Sequence, residues 1–263
     1  MRASVLLVPL LLCFGCQQEP DISAAAPACD PAVMRCVFTP PPAMGSSDGN
    51  AGGASGDVEE TATFSGSVMA FNDDSFDNWS AFTGMAAVSA TGESGARVTG
   101  NYDGITFQLT KVLKNSGNWF LVDPAMNSGM IRTLMPLDTR TAKADMLTVG
   151  VVTGVDVDSI FAFLNTERSV DRAQVVLTVV DGALRSVAGV TGTLTAEVTA
   201  YRAAGGWIGD DLTDTSGMIF FGNVQAGSAL SSVSISLSGT VTTRLDVKVV
   251  AGGVTVVNAI VNP

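Results

Sequence analysis

Histidine is absent from this chain of 263 residues, and its absence limits the chemistry open to the protein. Without histidine there is no Ser-His-Asp or Cys-His catalysis, no histidine-ligated zinc, and no imidazole to act as a general base near neutral pH. Carboxylate-only catalysis stays open on composition. We therefore expect a protein that is not an enzyme and that uses no cofactor.

Aromatic and charged residues are also scarce, at 6% and 15% of the chain. Hydrophobic residues make up 46%, and valine, threonine, serine and alanine are interspersed with 28 glycines. β-Branched residues interrupted by glycine are typical of short strands and turns, so the sequence predicts an all-β fold. The formal net charge of -11 disfavours nucleic acid and anionic lipid headgroups as partners. It serves either solubility alone or an acidic binding face.

The apolar run near the N-terminus, Val5 to Phe14, is too short for a transmembrane helix, which needs about 20 residues. The positive charge of Arg2 precedes this run and the small residue Gly15 follows it. A charged start, a short apolar core and a small residue before a cleavage site indicate a secretory signal peptide. We assign residues 1–15 to it.

The stretch Leu-Leu-Cys-Phe-Gly-Cys over residues 11–16 resembles the modification site of bacterial lipoproteins, where a cysteine after a small residue carries the lipid. The resemblance implies a diacylglyceryl group and further acyl chains such as palmitate on Cys16, and several acyl chains anchor a protein firmly. Since Gln17 rather than aspartate follows, the sorting rule of enteric bacteria implies the outer membrane. The motif departs from the pattern at Cys13, where leucine is usual, and the alternative is an ordinary signal peptide.

Two cysteines, Cys29 and Cys36, are left once residues 1–15 are removed and Cys16 is lipidated. In an exported, oxidising setting they predict one disulfide. A closed loop of about eight residues contributes roughly 2.5 kcal/mol in a chain-entropy model. The alternative is a metal site, which requires more ligands than two cysteines provide.

The remaining chain divides by composition into a tether and two patterned regions. Residues 16–60 are predicted to be a tether, because their proline, glycine and serine content cannot repay the cost of ordering. Strand patterns follow over residues 61–152 and again over 186–263, which predicts two tandem β-sandwich modules. The connecting segment, residues 153–185, is expected to hold a short helix capped by Asp158 and one strand.

The C-terminal region carries a series of short motifs in a fixed order. These are Val-x-Ala, Thr-x-x-Ser-Gly-x-x-Phe, Asn-Val-x-Ala-Gly and Val-x-Val-x-Ala-Gly-Gly-Val within residues 186–263. Their order resembles the carboxypeptidase regulatory-like domain, a transthyretin-like or Ig-like β-sandwich without catalytic function, and residues 61–152 resemble a more divergent copy. The resemblance implies turns at Gly104 and Gly217 with positive φ, and inward-facing rings at Phe107 and Phe220.

Two acidic loops and three tryptophans are the candidate ligand sites. Residues 72–79 bring carboxylates together and either bind Ca²⁺ or form a polar surface loop, and Asp210, Asp211 and Asp214 offer the same two alternatives. Trp207, in a glycine-rich loop, is either an exposed platform for a sugar ring or a packed side chain, as are Trp79 and Trp119. Asp73 and Asp210 are a remote candidate for a glycosidase pair.

Together these features predict a lipid-anchored envelope protein with a structural or adhesive β-sandwich ectodomain. Its membrane partner is reached through the lipid on Cys16, and its other partner is an envelope protein or a glycan. The alternative is a carbohydrate- or calcium-binding module of an envelope complex. The predicted location is the outer membrane, on its periplasmic or cell-surface face.

Overall fold

The computed structural model describes residues 37–38, 60–76, 78–92, 95–114, 116–140, 142–209 and 212–261. Within these ranges the chain is built almost wholly of strands, with a single helix. The prediction of an all-β protein is confirmed. Within the same residues, no helix has the length and apolar character that crossing a bilayer requires.

Seventeen strands and one helix follow in chain order. They are β1 (Val37–Phe38), β2 (Thr61–Phe71), β3 (Trp79–Ala81), β4 (Ala86–Thr91), β5 (Arg97–Tyr102), β6 (Phe107–Leu113), β7 (Gly117–Pro124), β8 (Met130–Asp138), β9 (Leu147–Thr153), α1 (Gly154–Phe163), β10 (Ala173–Val180), β11 (Val190–Thr193), β12 (Val198–Ala203), β13 (Gly206–Ile208), β14 (Met218–Val224), β15 (Ser231–Gly239), β16 (Thr243–Val249) and β17 (Gly253–Ile260).

Seven of these strands close into a ring in the order β2, β9, β8, β7, β4, β5, β6 and back to β2. The ring closes at β2, whose first half bonds to β6 and whose second half bonds to β9. Gly66, where the two pairings meet, has no room for a side chain, because a Cβ there would overlap the backbone of Leu147. Glycine at this position therefore permits the close approach of β9.

A second body of strands is joined to the ring through β17. Strands β13, β12, β14, β10 and β17 continue the same sheet beyond β8, and β17 runs parallel to both β10 and β8. A separate sheet of β11, β15 and β16 packs against this extension and forms a β-sandwich with it. The sandwich therefore spans residues 173–261 and shares a continuous, hydrogen-bonded sheet with the ring.

Two apolar cores fill the space on either side of the extended sheet. The first contains the interior of the ring, helix α1 and one face of the extension, with Phe107, Phe161 and Phe220 among its members. The second lies between the extension and the three-stranded sheet. Strands such as β14 are buried on both faces, since Phe220 belongs to the first core and Phe221 to the second. Such strands read as continuous apolar runs, without the alternation of a half-exposed strand.

The predicted tandem sandwiches match this architecture only in part. The predicted connecting segment, residues 153–185, contributes β10, which lies between β14 and β17 in the extended sheet. Strands from both predicted modules and from the segment between them therefore belong to one sheet, whereas two separate modules would each have sheets of their own. The alternating pattern of residues 190–201 predicts a single strand or a bulged pair, but the structure divides this stretch between β11 and β12, which belong to different sheets. The limits at residues 152 and 186 stay a prediction about independent folding.

Local signals in the sequence were reliable at the turns and less so at the helix. Gly104 and Gly217 have φ angles of 96° and 69°, and both predicted inward rings, Phe107 and Phe220, are buried. The helix cap was predicted wrongly at Asp158. The N-cap is Thr153, whose hydroxyl accepts the backbone N–H of Asp156 at 3.0 Å. This hydrogen bond is an N-cap at the true start of the helix, and the Thr153 hydroxyl also donates to the Asp156 carboxylate.

The short strand β1 adds to the free edge of β17. It pairs in parallel, with Val37 opposite Asn258 and Phe38 opposite Ala259. The same edge of β17 is held earlier by β8, through Gly253, Val254 and Thr255. The predicted tether, residues 16–60, thus includes two residues that extend a sheet.

Candidate functional site

The residues predicted to anchor the protein are not among those that the structure describes. Cys16, Cys29 and Cys36 lie outside the described residues, as do Asp77, Asp210 and Asp211 of the two acidic loops. The lipid and the disulfide therefore stay predictions. The described parts of the two acidic loops and the three tryptophans can be located.

The first acidic loop, residues 72–78, is folded on itself. The Asp73 carboxylate accepts the backbone N–H of Ser75 at 3.0 Å, and it is also bonded by the Ser75 hydroxyl and the Asn78 amide. Burial opposes ionisation of Asp73, but these hydrogen bonds outweigh it and hold its pKa below the usual value. Lone pairs used in this way are not free for Ca²⁺. Within the described residues, no three acidic or cysteine side chains are grouped to hold a metal ion.

The same loop contacts the β12–β13 hairpin through Asp74. Its carboxylate pairs with the Arg202 guanidinium at 3.0 Å, and its carbonyl oxygen accepts the indole N–H of Trp207 at 3.1 Å. The guanidinium carbon of Arg202 lies 5.8 Å from the centre of the Trp207 ring, within range of a cation–π interaction. We call these three residues the Asp74 contact; it joins the β2–β3 loop of the ring to the β12–β13 hairpin.

Trp207 is therefore a packed side chain, and its prediction as an exposed sugar platform is wrong. It is only 2% exposed and meets the Phe220 ring edge to face at 5.8 Å. Trp119 is also buried, and Trp79 packs on Phe71 with ring centres 3.8 Å apart and the rings tilted by 39°. The packed alternative therefore holds for Trp119 and Trp207, whereas Trp79 is only partly buried.

The second acidic loop is described only at Asp214. Its carboxylate accepts the backbone N–H of Ser216 at 2.7 Å, which is a turn-forming hydrogen bond before Gly217. The suggested pairing of Asp73 with Asp210 is not tested, because Asp210 lies outside the described residues. The hydrogen bonds of Asp73 and Asp214 both serve the local backbone.

A third carboxylate, Asp156, lies close enough to Asp73 and Asp74 to feel their charges. Burial is the main cause that raises the pKa of Asp156, and the two neighbouring carboxylates raise it further against the hydrogen bond from Thr153. Only one cation, Arg202, is paired with this group of carboxylates in the described structure. Ionisation of Asp156 is thus less favourable than that of a solvent-exposed aspartate.

An open groove of about 680 Å³ lies where the ring, the helix and the extended sheet meet. It is lined by the β7–β8 turn, the start of α1, Arg168 and the turn before β17. We call it the junction groove. Two ion pairs stand in its walls, Arg132 with Asp123 at 2.9 Å and Arg168 with Asp158 at 2.7 Å. The groove is therefore charge-balanced in a chain of net charge -11.

Neither the Asp74 contact nor the junction groove was found from the sequence. Asp74 and Arg202 are 128 residues apart, and no local pattern links a loop aspartate to an arginine at that distance. The groove combines four separated segments of the chain. The only sequence signal was Trp207 itself, whose packed alternative was the correct one.

No protein-family model matches the chain, and no curated protein matches it either. The solved structures with some resemblance include the Bacillus anthracis TIE protein, at 14% identity over 76% of this chain and 34% of that one. A streptococcal ancillary pilin has 11% identity over 76% and 69% of the two chains. The pilus backbone of Streptococcus pneumoniae has 9% over 78% and 65%. This chain spans about a third of the first of these proteins.

All three solved structures give a TM-score of 0.24. A score of this size does not establish a shared fold, and nothing about the fold or function of this chain follows from these resemblances. The resemblance of residues 186–263 to the carboxypeptidase regulatory-like domain likewise stays a prediction, since no family model supports it.

Proposed function

We propose that this protein is a membrane-anchored envelope lipoprotein whose β ectodomain has a structural or adhesive role and no catalytic one. The observation that carries the proposal is the junction at β17, which bonds through its backbone to β10 on one edge and to β8 and β1 on the other. A force applied at either body would pass to the other through sheet hydrogen bonds, without a flexible linker between them. Such continuity suits a rigid spacer or a surface that is held under load.

The described polar side chains support a structural role. Asp73 and Asp214 stabilise turns, Asp74 pairs with Arg202, and the ion pairs of the junction groove join neighbouring segments. Every buried side-chain nitrogen or oxygen in the described residues has a hydrogen-bond partner. These groups hold the fold together, as hydrogen-bonded polar side chains do in folded proteins generally.

The membrane anchor is the part of the proposal that rests on the sequence alone, through Gly15 and Cys16. In the expressing bacterium, Cys16→Ser should move the protein from the detergent phase to the aqueous phase in Triton X-114 partition, because the acyl chains are lost. Cys13→Leu is the matched control, since it alters the other cysteine of the motif and restores the usual leucine. A Cys16→Ser protein that stays in the detergent phase would refute the anchor.

The structural or adhesive role is tested separately, by chemical cross-linking of whole cells and affinity purification from detergent-solubilised membranes. We expect an envelope protein or a glycan to copurify with the wild-type protein. Recovery of the protein alone after cross-linking would contradict this role. Mass mapping of the same non-reduced sample reports on Cys29 and Cys36, which we propose to be linked in one peptide.

A further inference from the structure

One end of the ring carries a group of exposed apolar side chains. Of the nine large apolar side chains that are exposed among the described residues, four lie at this end. They are Met85, Ile105, Met126 and Val155, which are 67%, 79%, 93% and 76% exposed. Each belongs to a different connection: the one before β4, the β5–β6 turn, the β7–β8 turn and the start of α1. We call these four side chains the apolar rim.

The strand register makes three of these connections neighbours. Ala86, the first residue of β4, is opposite Tyr102 at the end of β5 and Pro124 at the end of β7. Met85, which precedes β4, therefore lies between the β5–β6 turn and the β7–β8 turn. Its carbonyl accepts the N–H of Ala125 at 2.9 Å. Each of the two turns holds one more side chain of the rim.

The start of α1 continues the apolar rim past the β7–β8 turn. The N–H of Gly154 donates to the carbonyl of Gly129 at 2.8 Å, which joins the two connections. Met126 and Val155 line the same groove. The rim is thus a continuous arc at one end of the ring. Grouped exposed apolar side chains of this kind mark sites of association with proteins or membranes.

The opposite end of the ring is charged. There β4 ends, and Thr91 is opposite Arg97 of β5. Among the described residues, Met146 alone is a large apolar side chain exposed at this end, at 50%. The charged side chains there are Glu60, Arg97, Lys114, Asp138, Arg140, Lys143 and Asp145. The ring therefore has one end suited to water and one end suited to a less polar environment.

Charged groups beside the apolar rim already have partners. The two ion pairs of the junction groove lie next to Met126 and Val155. Asp103, beside Ile105, accepts the backbone N–H groups of Ile105 and Thr106, both at 2.9 Å. The net charge of -11 repels anionic headgroups, so a bilayer that contacts the rim is one of zwitterionic lipids.

The size and spacing of the apolar rim favour a lipid surface over a protein partner. Four side chains of this size provide less than the roughly 800 Å² per partner that a stable protein interface buries. They also stand on separate turns, whereas the core of a protein interface is one closely packed patch. A fluid bilayer accommodates separate side chains without a matching shape, and its attraction grows with the apolar area that is buried.

We propose that the apolar rim inserts into the interfacial layer of a zwitterionic bilayer and turns this end of the ring toward the membrane. The charged end then faces the aqueous phase. The inference goes beyond the proposed function and does not depend on the lipid at Cys16, because the rim belongs to the folded ring and the lipid to the N-terminus. The two attachments are therefore separable by mutation.

The experiment removes the lipid and measures flotation with vesicles of phosphatidylcholine and phosphatidylethanolamine. The full-length Cys16→Ser protein should float with these vesicles, and less of it should float when phosphatidylglycerol replaces part of the zwitterionic lipid. The triple variant Ile105→Ser, Met126→Ser, Val155→Ser in the same background should lower the bound fraction several-fold, because the inserted apolar area is lost. Met146→Ser is the matched control at the charged end and should leave flotation unchanged.

A photoreactive residue then identifies what touches the rim in the envelope. p-Benzoylphenylalanine at Met126 of the full-length protein should crosslink to lipid when whole cells are irradiated, and the same residue at Met146 should not. A crosslink to a second copy or to another protein, or no crosslink at Met126, would overturn the proposal. Equal flotation of the triple variant, or no flotation of the Cys16→Ser protein, would also overturn it. These results do not bear on the anchor, which is judged by the detergent partition of the Cys16→Ser protein.

Discussion

Trp207 shows how one side chain connects the two bodies of the protein. Its ring packs on Phe220 in the first core, its indole N–H holds the carbonyl of Asp74, and Arg202 covers its outer face. The loop of residues 72–78 is thus attached to the β12–β13 hairpin through one hydrogen bond, one ion pair and one cation–π interaction. All three interactions depend on Arg202 and Trp207 of the hairpin.

Trp207→Phe should destabilise the protein by about 1 kcal/mol, because the aromatic packing is largely kept and the bond to the Asp74 carbonyl is lost. Arg202→Met should have a similar effect, and the two substitutions should be coupled since they act on the same loop. Urea unfolding of the wild-type, single and double variants gives the coupling energy. Strictly additive effects would mean that the two contacts are independent.

Asp156 predicts a pH dependence of definite sign. Burial, followed by the charges of Asp73 and Asp74, raises its folded-state pKa above the unfolded value. The ionised carboxylate therefore lowers stability at high pH, and this penalty disappears as the pH falls through the folded pKa. Asp156→Asn should be more stable than the wild type at about pH 8, with the difference shrinking towards about pH 4, near the unfolded pKa.

The matched control for Asp156 is Asp103→Asn, which should behave in the opposite way. The backbone N–H groups of Thr106 and Ile105 lower the pKa of Asp103, so its ionised form stabilises the turn. The stability that it contributes is present above the unfolded pKa and is lost as the pH falls through the folded one. Urea unfolding of both variants across pH tests the pair. A pH-independent difference for Asp156→Asn would be inconsistent with a raised pKa.

Among the strands, closure of the ring depends on β2 and on Gly66 in particular. Gly66→Ala should cost about 3 kcal/mol or more, because the new methyl group meets the backbone of β9 and cannot be relieved by a side-chain rotation. Gly182→Ala is the matched control, since a Cβ there has open space around it and no unusual φ. Thermal melts of the two variants should differ clearly. Equal melting temperatures would show that β9 can shift without loss.

Strand β10 gives a prediction about fragments. A fragment of residues 186–263, the C-terminal module that the sequence predicts, omits β10 and leaves β14 and β17 without the strand that lies between them. We expect this fragment to show no cooperative melt. A fragment of residues 165–263 contains β10 and should melt cooperatively, with a free energy of unfolding of a few kcal/mol. Circular dichroism of both fragments tests this. Cooperative melting of the shorter fragment would instead support the predicted module boundary at residue 186.

Sequence patterns located individual strands well because strand and turn signals are local. Asp103 and Gly104 mark a turn through their own hydrogen bonds and φ, and the short helix lies in the segment where it was expected, although its N-cap is Thr153 and not Asp158. Sheet membership was not predictable, because pairing depends on residues far apart in the chain. β11 and β12 are four residues apart and join different sheets, whereas Arg132 pairs with Gly253, 121 residues later.

The candidate sites were predicted less well than the fold, for the same reason. Carboxylates at residues 72–79 look like cation ligands until their partners are known, and these partners include Arg202 from a distant hairpin. Trp207 looks exposed because glycines surround it in the sequence, yet its environment is set by Phe220 and Asp74. Composition was the stronger guide to the fold, since β-branched residues interspersed with glycine predicted the all-β structure.

The fold as a complete object is joined by β17, which is also the strand made after all the others that the structure describes. Strand β8 of the ring and strand β10 of the sandwich both pair in parallel with β17, and these pairings can form only when residues 253–260 have been synthesised. Long-range parallel pairing of this kind is slow to form. The ring can close within residues 61–153, but the sheet that continues from it into the sandwich cannot be completed until β17 has been made. Part of the chain therefore stays unfolded for longer after synthesis begins, and an unfolded chain is the form in which the predicted signal peptide would direct it through an export channel.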